Sequence, residues 1–232
     1  MERVRERLII FDIDGTLLLS GTVARKLFER AFEEVFAMPP LLNGLSFAGR
    51  CDRGVLSLLL QRAQASERLA SEFSHFAARY AALMREQYPT AEGPRLMPGA
   101  KKLLLALSEN PEVLLMIGSG NLPQTAQIKL QRFGLDTFFL HGVYGDLHEE
   151  RVPLFAAALK LAREELHWSG ARERAWIVGD TVSDVEAARK VGVKCLAVAT
   201  GPTAADRLRA ARPDALFSDL SALEDVLAVL LA

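Results

Sequence analysis

Short apolar segments recur along the chain, and each lies next to Gly, Asp or Ser. Segments that are apolar on both faces are typical of strands in a parallel sheet with helices packed on each side. We predict six such strands, at residues 8–11, 113–117, 138–140, 175–178, 195–199 and 215–217. Helical periodicity lies between them, at residues 100–107, 125–133, 154–165, 184–191 and 220–231. The alternation predicts an α/β fold with a doubly wound, mostly parallel, Rossmann-like sheet.

The interval between the first two predicted strands is far longer than the crossover of a βαβ unit requires. Within it, apolar residues recur every three or four positions at residues 27–35 and again at residues 69–84. This spacing predicts a small helical bundle that is inserted into the sheet domain. We therefore expect a core formed by residues 1–19 and 97–232, and a helical cap formed by residues 20–96.

The composition is that of a globular protein that acts on a small molecule. Of the 232 residues, 50% are hydrophobic, and 28 basic residues nearly balance 29 acidic ones, for a net charge of −1. No basic stretch of the kind that binds nucleic acid or an anionic membrane stands out. Cys51 and Cys195 are too few for a disulfide framework, and the N-terminal segment does not resemble a secretory signal. We therefore expect a cytoplasmic monomer or homodimer that binds neither nucleic acid nor a membrane.

Two aspartates follow the first predicted strand, in the sequence Phe-Asp-Ile-Asp-Gly-Thr at residues 11–16. Side chains two positions apart in an extended chain point the same way, so we expect Asp12 and Asp14 to face one site. That site lies at the carboxyl end of the strand, where open α/β sheets bind ligands. Since two adjacent carboxylates repel each other, their pairing calls for a cation or a shared proton.

A second acidic pair, Asp180 and Asp184, follows the strand predicted at residues 175–178. Oxygen ligands without His or Cys select a hard cation, and Mg²⁺ is the natural one beside a phosphorylated substrate. A further strand end carries Ser119, Gly120 and Asn121, whose hydroxyl and backbone N–H groups can cradle a phosphoryl oxygen. Each motif alone is also compatible with a turn or a helix cap. Together they predict a single site, because they follow three buried strands at one edge of the sheet.

In this order, the motifs resemble those of the haloacid dehalogenase-like superfamily: a DxDGT loop, a small hydroxyl residue after the second strand, a basic residue and a late GDxxxD. The insert also lies where that family has its helical cap. The resemblance implies a phosphatase in which Asp12 attacks phosphorus and forms an aspartyl phosphate, while Asp14 protonates the leaving group and later activates water. The implied Mg²⁺ ligands are Asp12, the Asp14 carbonyl, Asp180 and Asp184. The implied contacts to substrate are Gly15, Thr16, Ser119, Gly120 and Asn121.

The resemblance also implies a basic residue beside the transferring phosphoryl group. Arg151 is the candidate because it shortly precedes Pro153, and Lys129 is the alternative. In the predicted cap, Arg50 and Arg53 resemble the loop that phosphoglycolate-phosphatase-like members place over the substrate. These arginines can pair with a substrate carboxylate or a second phosphate, or with acidic neighbours at the surface. The implied substrate is a small phosphorylated metabolite, phosphoglycolate-like or a sugar phosphate.

Other activities on the same fold make different demands on the sequence. A sugar-phosphate mutase, similar to β-phosphoglucomutase, shares the aspartyl phosphate but must return the phosphoryl group to substrate and exclude water. A non-catalytic binding protein is expected to lack one of the key aspartates, and none is missing. Dehalogenation of carbon needs neither Asp14 nor a metal. Phosphonate cleavage needs a cap lysine, and residues 31–95 contain none.

Overall fold

The structure is a computed structural model, which describes residues 5–232, and a six-stranded parallel sheet lies at its centre. The strands in chain order are β1 (Arg7–Phe11), β2 (Leu18–Leu19), β3 (Arg95–Leu96), β4 (Val113–Gly118), β5 (Gly142–Val143), β6 (Ala175–Gly179), β7 (Lys194–Val198) and β8 (Ala215–Phe217). The order in the sheet is β5-β4-β1-β6-β7-β8, and every neighbouring pair is parallel. The predicted doubly wound α/β fold is confirmed.

Helices cover both faces of this sheet, as the apolar strands require. The helices in chain order are α1 (Val23–Phe36), α2 (Asp52–Arg62), α3 (Arg68–Gln87), α4 (Ala100–Ser108), α5 (Pro123–Arg132), α6 (Arg151–Glu164), α7 (Val182–Val191), α8 (Ala205–Ala211) and α9 (Leu223–Leu230). In β1, Ile9 and Phe11 pack against α4, α5 and α9, whereas Leu8 and Ile10 pack against α6, α7 and α8. Because side chains alternate along a strand, the apolar residues 8–11 of β1 contribute to both cores.

One predicted strand is wrong. Residues Asp136–Phe138 form a 3₁₀ turn, and β5 begins only at Gly142, after the apolar run at residues 138–140. Leu140 is 81% exposed, while the ring of Phe139 packs edge-on against Phe11. Short apolar runs do not distinguish a strand from residues that cover the edge of a core. The sequence pattern also missed helices α2 and α8 and the short pair of strands β2 and β3.

Helices α1, α2 and α3 lie between β2 and β3 and have an aromatic core of their own. Phe28, Phe32 and Phe76 are buried there, and Leu122 and Ile128 from the α5 region join the same cluster. Strands β2 and β3 pair with each other in antiparallel orientation, so the chain leaves and re-enters the sheet region at one place. The division of the chain at residues 19/20 and 96/97 stays a prediction.

Crossing a lipid bilayer takes about 20 consecutive, mostly apolar residues. None of the described helices combines that length with that apolar character.

Candidate active site

The carboxyl ends of three neighbouring strands meet at one edge of the sheet. Strands β4, β1 and β6 are adjacent, and the residues that follow them include Ser119, Asp12 and Asp180. The helical insert covers this edge and leaves a cavity of about 200 Å³. Most of the residues that the sequence predicts for the site line this cavity, whereas Thr16, Arg53 and Asp184 do not.

Asp12 lies buried at the base of the cavity, beside a guanidinium group. The Nη2 atom of Arg151 is 2.9 Å from Oδ2 of Asp12. Burial raises the pKa of Asp12 to about 6, because the nearby Arg151 offsets only part of the desolvation and Asp184 adds repulsion. At neutral pH, Asp12 is therefore still ionised in most molecules and can act as a nucleophile.

Arg151 is held in this position by Asp184. Its Nε and Nη2 atoms donate to Oδ1 of Asp184 at 3.0 and 2.5 Å. The other oxygen of Asp184 accepts hydrogen bonds from the backbone N–H of Thr181 at 3.1 Å and from its hydroxyl at 2.7 Å, in a capping box at the start of α7. Burial by itself lowers the pKa of Arg151, but Asp12 and Asp184 outweigh it and keep the guanidinium charged. With both oxygens engaged, Asp184 orients Arg151 toward Asp12.

Asp180 has the features of a ligand for a hard cation. Its Oδ1 atom accepts a hydrogen bond from Thr16 at 3.3 Å, whereas the buried Oδ2 atom has no hydrogen-bond partner among residues 5–232. Burial raises the pKa of Asp180 well above its ordinary value, and repulsion from Asp184 and Asp12 raises it further. A cation would relieve this repulsion and satisfy the unpaired oxygen.

The backbone around Asp180 is shaped to let its carboxylate approach closely. A Cβ atom at Gly15 would lie 2.3 Å from Oδ2 of Asp180, and one at Gly201 would lie 1.7 Å from the same atom. One carboxylate oxygen from each of Asp12, Asp180 and Asp184 lies within 4.8 Å of the other two. The donor set is all oxygen, which fits Mg²⁺ better than a softer metal.

Asp14 occupies a different electrostatic environment from Asp12. Its Oδ2 atom is 2.6 Å from Nζ of Lys129 and accepts a hydrogen bond from Asn121 at 2.8 Å, and its Oδ1 atom accepts one from Ser20 at 2.5 Å. Burial raises the pKa of Asp14, but the charge and hydrogen bond of Lys129, with those of Ser20 and Asn121, outweigh it and lower the pKa overall. The two candidate basic residues thus contact different aspartates.

Asn121 connects Ser119 to this ion pair. Its side-chain N–H group donates to the Ser119 hydroxyl at 2.8 Å, and its Oδ1 atom accepts from Lys129 at 2.5 Å. Because the Ser119 oxygen accepts this bond, its own proton remains available for a phosphoryl oxygen. Ser20 was missed by sequence reasoning; its hydroxyl also lies 3.2 Å from the hydroxyl of Tyr88. Neither residue belongs to a recognisable motif.

The two arginines predicted in the cap have different positions. Arg50 is exposed and lines the cavity, and its side chain has no hydrogen-bond or ion-pair partner within residues 5–232. Arg53 lies outside the cavity, with its guanidinium 4.3 Å from the ring centre of Phe73. It also donates to the Asp146 carbonyl at 3.3 Å and lies 4.0 Å from Glu149. The structure therefore brings Arg50, and not Arg53, to the aspartates.

Fold and site together define an α/β protein with buried aspartates at the carboxyl edge of a parallel sheet, beneath a helical insert. The sequence model of the haloacid dehalogenase-like hydrolases matches residues 6–192, which is most of the chain. The chain belongs to the haloacid dehalogenase-like hydrolase family. None of the curated proteins matches it in sequence.

Solved structures with a similar fold include several phosphatases by name. A predicted phosphatase from Clostridium acetobutylicum aligns with a TM-score of 0.71 at 16% identity, covering 97% of this chain and 99% of that one. A predicted phosphoglycolate phosphatase from Haemophilus somnus 129pt aligns at 0.69 and 22% identity, covering 95% and 97%. CbbY from Rhodobacter sphaeroides, in complex with phosphate, aligns with a TM-score of 0.64 at 21% identity, covering 94% of this chain and 96% of that one. At these identities the similarity shows the fold.

Proposed function

We propose that this hydrolase is a Mg²⁺-dependent phosphatase that releases phosphate from a small phosphorylated metabolite through a phosphorylated Asp12. The observation that carries the proposal is the contact of 2.9 Å between the buried Asp12 carboxylate and Arg151, next to the unpaired oxygen of Asp180. Phosphoryl transfer requires an attacking oxygen and concentrated positive charge at the same place. At the base of the cavity, Asp12 supplies the attacking oxygen, and Arg151 and a bound cation would supply the positive charge.

In the first step, Asp12 attacks phosphorus, and the bond between phosphorus and the ester oxygen breaks. Arg151 already lies at the attacking carboxylate, so its remaining N–H groups can bind oxygens of the transferring group. The Ser119 hydroxyl, oriented by Asn121, donates a further hydrogen bond to that group. Asp184 does not contact the cavity, and its role is to position Arg151.

In the second step, a water molecule hydrolyses the aspartyl phosphate, and Asp14 accepts its proton. Lys129 supports this role because it favours the ionised form of Asp14. In the first step, by contrast, Asp14 must be protonated, because it donates its proton to the oxygen of the leaving alcohol. Asp14 therefore has to separate from Lys129 before it can carry that proton.

Mg²⁺ would be held by Asp12, Asp180 and the backbone carbonyl of Asp14. When bound, it would neutralise charge on the phosphoryl group. Asp180 is the residue most dependent on it, because its Oδ2 atom is buried without a hydrogen-bond partner among the described residues.

A sugar-phosphate mutase is the alternative activity, since it uses the same attack by an aspartate. The two activities differ in the acceptor of the phosphoryl group, which is water in one and a substrate hydroxyl in the other. Hydrolysis in ¹⁸O-labelled water distinguishes them. Labelled phosphate supports the phosphatase, whereas isomerised sugar phosphate without labelled phosphate supports the mutase.

The central test compares the wild-type protein with Asp12→Asn in the presence of Mg²⁺ and p-nitrophenyl phosphate. We expect the wild type to release phosphate and the variant to lose at least about a thousandfold in kcat, because the amide is not a nucleophile. Asp206→Asn, at an exposed position on α8, is the matched control and should retain full activity. Equal release by Asp12→Asn and wild type would contradict the proposal and favour a binding protein.

A further inference from the structure

The cavity has two chemically different ends. The aspartates lie at the sheet end. Leu19 of β2 and four residues of the insert form an apolar wall, which we define as Leu19, Ala24, Phe28, Phe47 and Tyr80. The ring of Phe28 packs edge-on against Phe47 at 5.2 Å and against Tyr80 at 5.3 Å. The three rings therefore form one continuous aromatic surface, and it lines the same cavity as the aspartates.

Two of the polar groups next to the apolar wall already have partners. The Tyr80 hydroxyl donates to the carbonyl of Ala24 at 3.2 Å. Arg25 pairs with Glu29 at 2.7 Å, and its guanidinium lies 5.2 Å from the centre of the Phe47 ring. Arg50 also lines the cavity, but it is not part of the wall. Hydroxyl groups of a substrate that face the wall itself would lose water and gain no hydrogen bond from it in return.

The cavity is also small. Its volume of about 200 Å³ lies below the roughly 300–1,000 Å³ that is usual for sites of drug-sized ligands. A phosphoryl group takes up the end near Asp12 and Arg151, so the remaining space suits a short or single-ring organic group.

We propose that the site is specific for phosphomonoesters whose alcohol part is small and apolar, a short alkyl chain or a single ring, in preference to polyhydroxylated sugar phosphates. The inference rests on the proposed phosphatase function, and it narrows the substrate class of that same site. An apolar group gains from contact with the wall, whereas a sugar hydroxyl that is buried against the wall would be left unpaired.

Matched substrate pairs test this preference in the wild-type enzyme with Mg²⁺. Propyl phosphate and glycerol 3-phosphate share a three-carbon skeleton, and cyclohexylmethyl phosphate and glucose 6-phosphate share a six-membered ring. We expect kcat/KM to be at least about tenfold higher for the apolar member of each pair. Equal values or a preference for the hydroxylated member would overturn the inference.

A pair of variants tests whether the wall is the cause. Phe47→Ser places a hydroxyl on the wall, and we expect the ratio of kcat/KM for cyclohexylmethyl phosphate over glucose 6-phosphate to fall about tenfold. Phe73→Ser removes a partly buried ring of the same helical insert that does not line the cavity, and the ratio should not change. An unchanged ratio in Phe47→Ser would contradict the assignment of specificity to the wall.

The two proposals fail in different ways. If none of these esters releases phosphate in a reaction that Asp12→Asn abolishes, the phosphatase function and the substrate class are both overturned. If phosphate release depends on Asp12 but the hydroxylated esters react faster, only the substrate class is overturned.

Discussion

Asp12 and Asp14 are two residues apart, yet different cations contact them. Arg151 lies against Asp12, and Lys129 lies against Asp14. Burial is the larger effect at Asp12 and raises its pKa to about 6, whereas at Asp14 the nearby lysine and the hydrogen bonds outweigh burial and lower the pKa. Neighbouring carboxyl groups with opposite pKa shifts are suited to different tasks in one reaction. We assign attack on phosphorus to Asp12 and proton transfer to Asp14.

Replacement of Lys129 by Met tests this assignment. Without the ammonium group, burial acts unopposed and the pKa of Asp14 rises. Since Asp14 must be ionised to accept the proton of water when the aspartyl phosphate is hydrolysed, we expect kcat at pH 7 to fall about 100-fold and the acidic limb of the pH profile of kcat to move to higher pH. Stability should fall by about 2 kcal/mol in urea unfolding, less than for a fully buried pair, because the Asp14 side chain is 36% exposed.

Lys102→Met is the control for this variant, since Lys102 is an exposed lysine on α4. It should leave both the pH profile and the stability unchanged. A Lys129→Met enzyme with an unshifted acidic limb would show that Lys129 does not control Asp14.

At the scale of elements, the start of α2 is hydrogen-bonded to two loops of the sheet domain, those that contain Gly120 and Gly145. The backbone N–H of Asp52 donates to the Gly120 carbonyl at 2.7 Å, and that of Arg53 donates to the Gly145 carbonyl at 3.2 Å. The Asp52 carboxylate in turn accepts from the N–H of Leu122 at 2.9 Å, at the start of α5. A Cβ atom at Gly120 would lie 2.2 Å from the Arg50 carbonyl, so the approach needs glycine there. The insert is thus joined to the loop that carries Ser119 and Asn121.

This junction predicts a pH-dependent stability difference in the protein without added metal. Burial raises the pKa of Asp52 to about 6, although Lys129 and the N–H of Leu122 oppose the shift. Between pH 3.8 and 6, the unfolded chain releases this proton while the folded protein retains it, so stability is lost as pH rises. As pH rises across this range, the free energy of unfolding of Asp52→Asn relative to wild type should therefore increase by roughly 2 kcal/mol. This is less than the whole pKa shift would give, because Asp52 is partly exposed.

Asp219→Asn is the control for the direction of this pH dependence. Its free energy of unfolding is measured in urea at the same pH values. Hydrogen bonds from Ser221 lower the pKa of Asp219, so the wild type gains stability there as pH rises. The difference between Asp219→Asn and wild type should therefore move in the opposite direction. If Asp52→Asn and Asp219→Asn showed the same slope, the Asp52 carboxyl would not be buried at the junction.

In the molecule as a whole, the parallel sheet concentrates acidic groups at one edge. Asp12 follows β1, whereas Asp180 and Asp184 follow β6, which is distant in sequence, and Arg151 contacts Asp12 and Asp184. Buried carboxylates that repel each other destabilise the folded state unless a cation or a proton joins them. The site is therefore expected to respond to metal as a unit.

Addition of Mg²⁺ should raise the melting temperature of the wild-type protein. Binding to the folded state alone stabilises by about 2.7 kcal/mol at a concentration 100 times Kd, which corresponds to roughly 5–10 °C for a chain of this size. Asp180→Asn should melt higher than the wild type without metal, because it removes a repelling charge, and should gain little from Mg²⁺. If calorimetry showed that Mg²⁺ does not change the melting temperature of the wild-type protein, a metal site at Asp180 would be contradicted.

Several elements could be predicted from the sequence because their signal is local. The runs around Leu8 and Ile177 are apolar on both faces, and only a covered parallel sheet buries both. The run at residues 138–140 carries the same local signal, but its aromatic rings pack against residues such as Phe11 from the edge of the core. Strand assignment failed there because the packing partner, not the run itself, decides the conformation.

The sequence by itself determined the class of fold and the place of the aspartates, because parallel strands end at the same edge of a sheet and the motifs follow those strands. Tertiary structure alone decided which cation meets which carboxylate and what faces them across the cavity. Lys129 and Asp14 are 115 positions apart, and Arg151 and Asp184 are 33 apart. Contacts over such distances depend on how helices pack on the sheet, and no local pattern of residues specifies that packing.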